Sequence, residues 1–217
     1  MTSEFINYLE KGNLKKAQYI YQNYEEIDIH DNDDEYFKIA ISKGHLDIAR
    51  WIYKIRAQYI DFCYNNYEIF ELAIRSGDLD TVIWLLKLNN KIDIHYNDYM
   101  FFRLACSCGY LDIAEYLLTL DPKLNILHAK NNYPFKMACH NGKLDVAKWL
   151  YSLDNNMDIH IEDDFPFRMA CFNNHIEVAK WLITICDDYH IIIKNNKIIK
   201  WFILKNKLYK KLIKILY

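Results

Sequence analysis

Apolar residues fall at helical spacing in two short runs, Phe37, Ile39, Ala40 and Ile41, then Leu46, Ile48, Ala49, Ile52 and Tyr53. The same pattern returns along the chain. Its first half is marked by Phe37-x-x-Ala40, Phe70-x-x-Ala73, Phe102-x-x-Ala105, Phe135-x-x-Ala138 and Phe167-x-x-Ala170, at alternating intervals of 33 and 32 residues. A turn follows at constant offset in Gly44-His45-Leu46-Asp47, Gly77-Asp78-Leu79-Asp80, Gly109-Tyr110-Leu111-Asp112 and Gly142-Lys143-Leu144-Asp145, with Asn174-His175-Ile176-Glu177 as a degenerate copy. Each copy therefore predicts two helices reversed at a glycine that takes a left-handed conformation. A third element, Ile27-Asp28-Ile29-His30, Ile92-Asp93-Ile94-His95 and Met157-Asp158-Ile159-His160, alternates apolar and polar residues and predicts a short extended finger. Leu124 to His128 is a looser copy.

Tiled units place equivalent residues in files. Ala40, Ala73, Ala105, Ala138 and Ala170 make a small-residue file that lets the first helices approach closely. Trp51, Trp84, Tyr116, Trp149 and Trp181 make a bulky file outside it. The acids after each turn sit in the first turn of the second helix, where the helix dipole and unpaired N–H groups favour a carboxylate. Cys106, Cys139 and Cys171 follow the repeat alanine and read as small buried residues, since equivalent positions one layer apart, at about 8–10 Å, are too distant for a disulfide.

With 217 residues, 52% of them hydrophobic, only three Pro and five Gly, and no linker-like stretch, the chain reads as one domain. Its repeats fall near 5–30, 37–63, 70–95, 102–128, 135–160 and 167–190. The start of the chain lacks a basic, apolar leader and no stretch has the length of a membrane span, so a cytoplasmic or nuclear location is expected. Charge is divided unevenly: residues 1–190 sum to −10, whereas 191–217 hold eight Lys and no acid. That segment is expected to be a basic, degenerate carboxyl-terminal cap, and its alternative use is attachment to nucleic acid or an anionic membrane surface.

A helix, a glycine turn, a second helix and a finger within about 33 residues resembles the ankyrin repeat. The resemblance implies an all-α fold, an ankyrin-repeat solenoid of stacked helix–turn–helix units with short extended fingers. It departs from the family at the start of the first helix, where only Pro134 and Pro166 survive from the usual Thr-Pro-Leu-His and where Lys38, Glu71, Arg103, Lys136 and Arg168 replace the histidine. The abundance of Ile, Asn and Tyr resembles the divergent ankyrin proteins encoded by giant DNA viruses of amoebae. The resemblance implies a monomeric, non-enzymatic scaffold for protein–protein interaction, binding a host or viral protein on a concave face of fingers and inner helices.

No nucleophile elbow, Walker loop, dinucleotide glycine cluster or zinc-protease helix is present, so no catalytic residue, cofactor, metal or small-molecule substrate is expected. The file His30, His95, His128 and His160, with Cys63 at the intervening place, would need ligands converging on one ion. Layers about 8–10 Å apart oppose that, and these histidines are expected to bond neighbouring backbone. Lys38, Arg103, Lys136 and Arg168 either pair with finger acids (Asp33, Asp34, Asp98, Asp163 and Asp164) or clamp a partner's carboxylates or phosphates. The candidate partner-binding set is these four cations with Tyr99, Tyr133, His140 and Phe172. The neighbouring Ser42-Lys43, Arg75-Ser76, Ser107-Cys108, His140-Asn141 and Phe172-Asn173 are expected to face the same groove.

Overall fold

The computed structural model describes residues 2–24, 27, 29, 34–56, 67–89, 92–121, 124–154 and 156–185. His30, Asp33, Cys63 and the Lys-rich segment 191–217 lie outside the described residues.

Twelve α-helices are present among the described residues, and no strand. They pair as the repeats require: α1 (Thr2–Glu10) with α2 (Leu14–Asn23), α3 (Glu35–Ser42) with α4 (Leu46–Arg56), and α5 (Glu68–Ser76) with α6 (Leu79–Leu88). α7 (Tyr96–Cys108) then precedes α8 (Leu111–Leu120), α9 (Ala129–His140) precedes α10 (Leu144–Leu153), and α11 (Ile161–Phe172) precedes α12 (Ile176–Ile185). The chain divides into two compact units between Tyr96 and Asn97. In the first, α1, α3 and α5 pack in succession, each against its own second helix. In the second, α9 packs on α10 and α11, and α11 on α12.

The alanine file explains the close approach of the first helices: all five are fully buried, and the phenylalanines three residues before them are buried too. Each reversal has a concrete hydrogen-bond solution. Gly44, Gly109 and Gly142 adopt φ values of 70°, 89° and 72°, which brings the next N–H back onto the alanine carbonyl. His45 N donates to Ala40 O at 2.9 Å, Tyr110 N to Ala105 O at 3.0 Å and Lys143 N to Ala138 O at 2.8 Å. Asn174 replaces glycine at φ 66° and supports the same bond from His175 N to Ala170 O at 2.8 Å. The acids after the turn also act locally, since Asp47 and Asp112 accept from the N–H groups of Ile48 and Ile113 at 2.8 Å.

The aromatic file is more specific than bulk filling. Within each unit the tryptophan of one layer meets the repeat phenylalanine of the layer before it. Phe5 lies 6.4 Å from Trp51, Phe37 6.3 Å from Trp84, Phe102 6.2 Å from Trp149 and Phe135 6.3 Å from Trp181. Tyr21, Tyr53 and Tyr151 add edge contacts to the same indoles.

The finger is the part that departs from expectation. In place of an extended strand, three consecutive left-handed residues interrupt the start of α7, α9 and α11, ahead of their regular helical run: Asn97-Asp98-Tyr99, Lys130-Asn131-Asn132 and Glu162-Asp163-Asp164. Isolated side chains, not a paired strand, produce the alternation. Ile92, Met157 and Ile159 are buried, whereas Asp93 and Asp158 turn back to accept from His95 N and His160 N at 2.9 Å. Asn and Asp tolerate φ > 0; the other residues need outside support.

Candidate functional site

That support comes from the cationic file. In Arg103, Nε donates to Asp98 O at 2.9 Å and a terminal nitrogen to Asn97 O at 2.8 Å, so one guanidinium binds two carbonyls of the left-handed turn. Arg168 repeats the contact with Glu162 O at 3.0 Å. Lys136, only 6% exposed, pairs with Glu162 at 2.5 Å in the next layer, and Lys38 pairs with Glu68 at 2.7 Å. Arg103 also lies over the Tyr133 ring at 5.0 Å, and Lys136 over the Phe165 ring at 5.9 Å. Burial lowers the Arg103 pKa from its ordinary value, with Asp98 opposing. The hydrogen bond from Lys136 lowers that of Glu162.

The cations therefore pair within the chain, with Lys136 on a finger acid, but the carboxylates bound are Glu162 and Glu68 and not the named aspartates. Asp98 instead accepts from Lys130 N at 2.8 Å, and Asp164 meets His160 Nδ1 at 2.6 Å. Finger histidines among the described residues bond side chains: His95 contacts Asp93 at 3.2 Å, and His128 contacts Asn132 at 2.6 Å and Asp154 at 3.2 Å. Tyr99 donates its hydroxyl to Asp121 at 3.0 Å, and burial together with that contact raises its pKa. No group of three or more His, Cys, Asp or Glu able to hold a metal occurs among the described residues.

All eight candidate residues thus make contacts within the chain. His140 and Phe172 stand at the carboxyl ends of α9 and α11, where Phe172 is 54% exposed and the His140 ring stacks on Phe165 at 6.3 Å. An open groove runs along the turns of this second unit, lined by Ser107, Tyr110, His140, Lys143, Asn173 and His175 among others. Its walls are tied together between layers. Asn141 donates to Ser107 O at 2.8 Å and to Ser107 Oγ at 2.9 Å, and Asn173 donates to His140 O at 2.8 Å. Sequence reasoning missed this ladder, although an Asn directly before the turn residue in two successive copies was its visible trace.

The cysteine file has no reactive character. Burial raises the Cys106 and Cys139 thiols far above their ordinary value and pushes Cys171 up to about 12.

Each unit is thus built of helix–turn–helix layers with buried files of equivalent residues. Residues 102–195 match the family model for ankyrin repeats, in three copies. Ahead of that segment, the same Phe-x-x-Ala files and glycine turns recur in residues 2–89 with the same helix pairing. No curated protein matches the chain. Ankyrin repeats are generally protein–protein interaction modules and typically non-enzymatic scaffolds.

Proposed function

We propose that this protein is a non-enzymatic scaffold that binds another protein through the exposed ends of the inner helices in its second unit. The file Ser107, His140, Phe172 carries the reading. These positions are equivalent in three successive layers, and they differ in side chain while the frame beneath them repeats. The cations act as that frame: Arg103 and Lys136 hold the turns that set the inner helices, so a partner is recognised by residues mounted on them. Exposed aromatics are effective anchors in such contacts. The resemblance to giant-virus repeat proteins makes a host or viral protein in the cytoplasm or nucleus the partner class to test first.

Proximity labelling with the full chain, compared with a His140→Ala/Phe172→Ser variant, tests the reading. Loss of a specific protein from the labelled set is expected; an unchanged set from a folded variant overturns it. Attachment through residues 191–217 rests on their charge alone, and predicts a salt-sensitive association with liposomes or DNA that disappears on deleting them.

A further inference from the structure

We infer that the turn-side groove of the second unit binds an extended acidic segment of a partner protein, with carboxylates recurring at every third residue. The inference rests on the protein-binding reading above and supplies its chemistry.

The groove is lined from three files: Ser107 and His140; Cys108, Asn141 and Asn173; Tyr110, Lys143 and His175, with Phe172 the next position of the first file. None of its lining residues is acidic. In the third file, Lys143 and His175 make no ion pair among the described residues, whereas Lys38, Lys136 and Lys180 all pair with glutamates. Both are also fixed in place. The Lys143 stem lies against Gly109 and the His175 ring against Gly142, each filling the space that a Cβ there would occupy. The Asn141 and Asn173 bonds lock the intervening file, so this edge is rigid across three layers.

The spacing selects the ligand. Donors standing in different layers, about 8–10 Å apart, do not converge on one small anion. A nucleic acid would require several lysines or arginines along the track, and the lining supplies one. A peptide in the extended polyproline II conformation advances about 3.1 Å per residue with three residues per turn, so every third side chain returns to the same side one layer further on. A carboxylate opposite Lys143 is then followed by one opposite His175, with the exposed Phe172 ring beside the track as an apolar contact.

The probe is a fluorescently labelled peptide of about seven residues, glutamate at every third position and serine between, titrated into the full chain at low salt. Saturable binding is expected, with amide chemical-shift changes confined to the turns around residues 107–110, 140–143 and 172–175. It should weaken about tenfold in Lys143→Met, which keeps the stem against Gly109 and removes the charge. The glutamine version of the peptide should not bind. No binding by the wild-type chain, shifts elsewhere, or equal binding by folded Lys143→Met overturns the inference. The shift map needs no variant, so an unfolded Lys143→Met leaves the test intact. A protein lost from proximity labelling on the Phe172 substitution, combined with no peptide binding, removes this inference and leaves the scaffold reading standing.

Discussion

Phe135 and Trp181 belong to successive layers and meet edge to face, their ring centroids 6.3 Å apart at 65°. Phe135 is completely buried, and the indole also takes the edge of Tyr151 at 5.9 Å. Truncating such a ring leaves a cavity that rigid helices do not fill. Phe135→Ala is expected to lower stability by about 3–5 kcal/mol, and Phe135→Leu by clearly less. Urea denaturation of the full chain checks the order; equal midpoints for both variants would show that the ring contact is dispensable.

Lys136 and Glu162 form an unequal pair. The lysine side chain is 8% exposed and the glutamate 47%, so removing the acid leaves a buried ammonium while removing the base leaves a carboxylate that water can reach. Glu162→Gln should therefore destabilise more than Lys136→Met. The pair also sets an acid limb. Because Lys136 lowers the Glu162 pKa below its ordinary 4.5, the folded chain favours the ionised form. That contribution is complete above the ordinary value and is lost as pH falls through the lowered one. Denaturation midpoints measured down this range should fall less steeply for Glu162→Gln than for the native chain.

Gly142 and Gly44 share φ values near 70°, yet they differ in what stands over them. A Cβ on Gly142 would strike the His175 ring, whereas one on Gly44 would meet Asp78 Cβ at an ordinary 3.4 Å. Both alanine substitutions carry the left-handed cost of about 1–2 kcal/mol, and Gly142→Ala should lose more. Adding His175→Ser should recover the excess. Thermal melts of the three variants decide this, and an unchanged loss in the double variant would rule out the ring clash.

The buried thiols offer a readout of layer opening. Cys106 and Cys139 are fully enclosed and Cys171 has its pKa pushed up to about 12, so thiolate is scarce and access closed at neutral pH. Alkylation followed by peptide mass spectrometry should leave these three unmodified in the native chain and label them in urea. Labelling of Cys139 in native buffer at the rate of a free thiol would contradict the stacked core around α9.

Much of the fold was legible because its determinants are local and repeated. The Phe-x-x-Ala spacing, the glycine before each second helix and the acid after it gave the helix pairs and the buried alanine file, since each follows from backbone geometry and helical period within one copy. Two features were misread for the same reason. The Ile-Asp-Ile-His segments imitate a strand in one dimension, but Arg103 reaches back five and six residues, and Arg168 six, to hold a left-handed turn that no local propensity announces. The cationic file was visible as a column while its partners were not, because Glu162 and Phe165 come from the layer above.

The sequence by itself determined the repeating unit, its two helices, its reversal and the residues that must be small or buried, because short-range sterics and burial decide them. Only the tertiary structure decided which charges were engaged and which stood open. Lys136 and Lys143 are the same side chain seven positions apart. One meets a glutamate and an aromatic ring from the next layer, and the other lies over a glycine with no carboxylate paired to it among the described residues. That difference is set by what the neighbouring layer places opposite each residue, and distance through space, not along the chain, governs the interaction of charges.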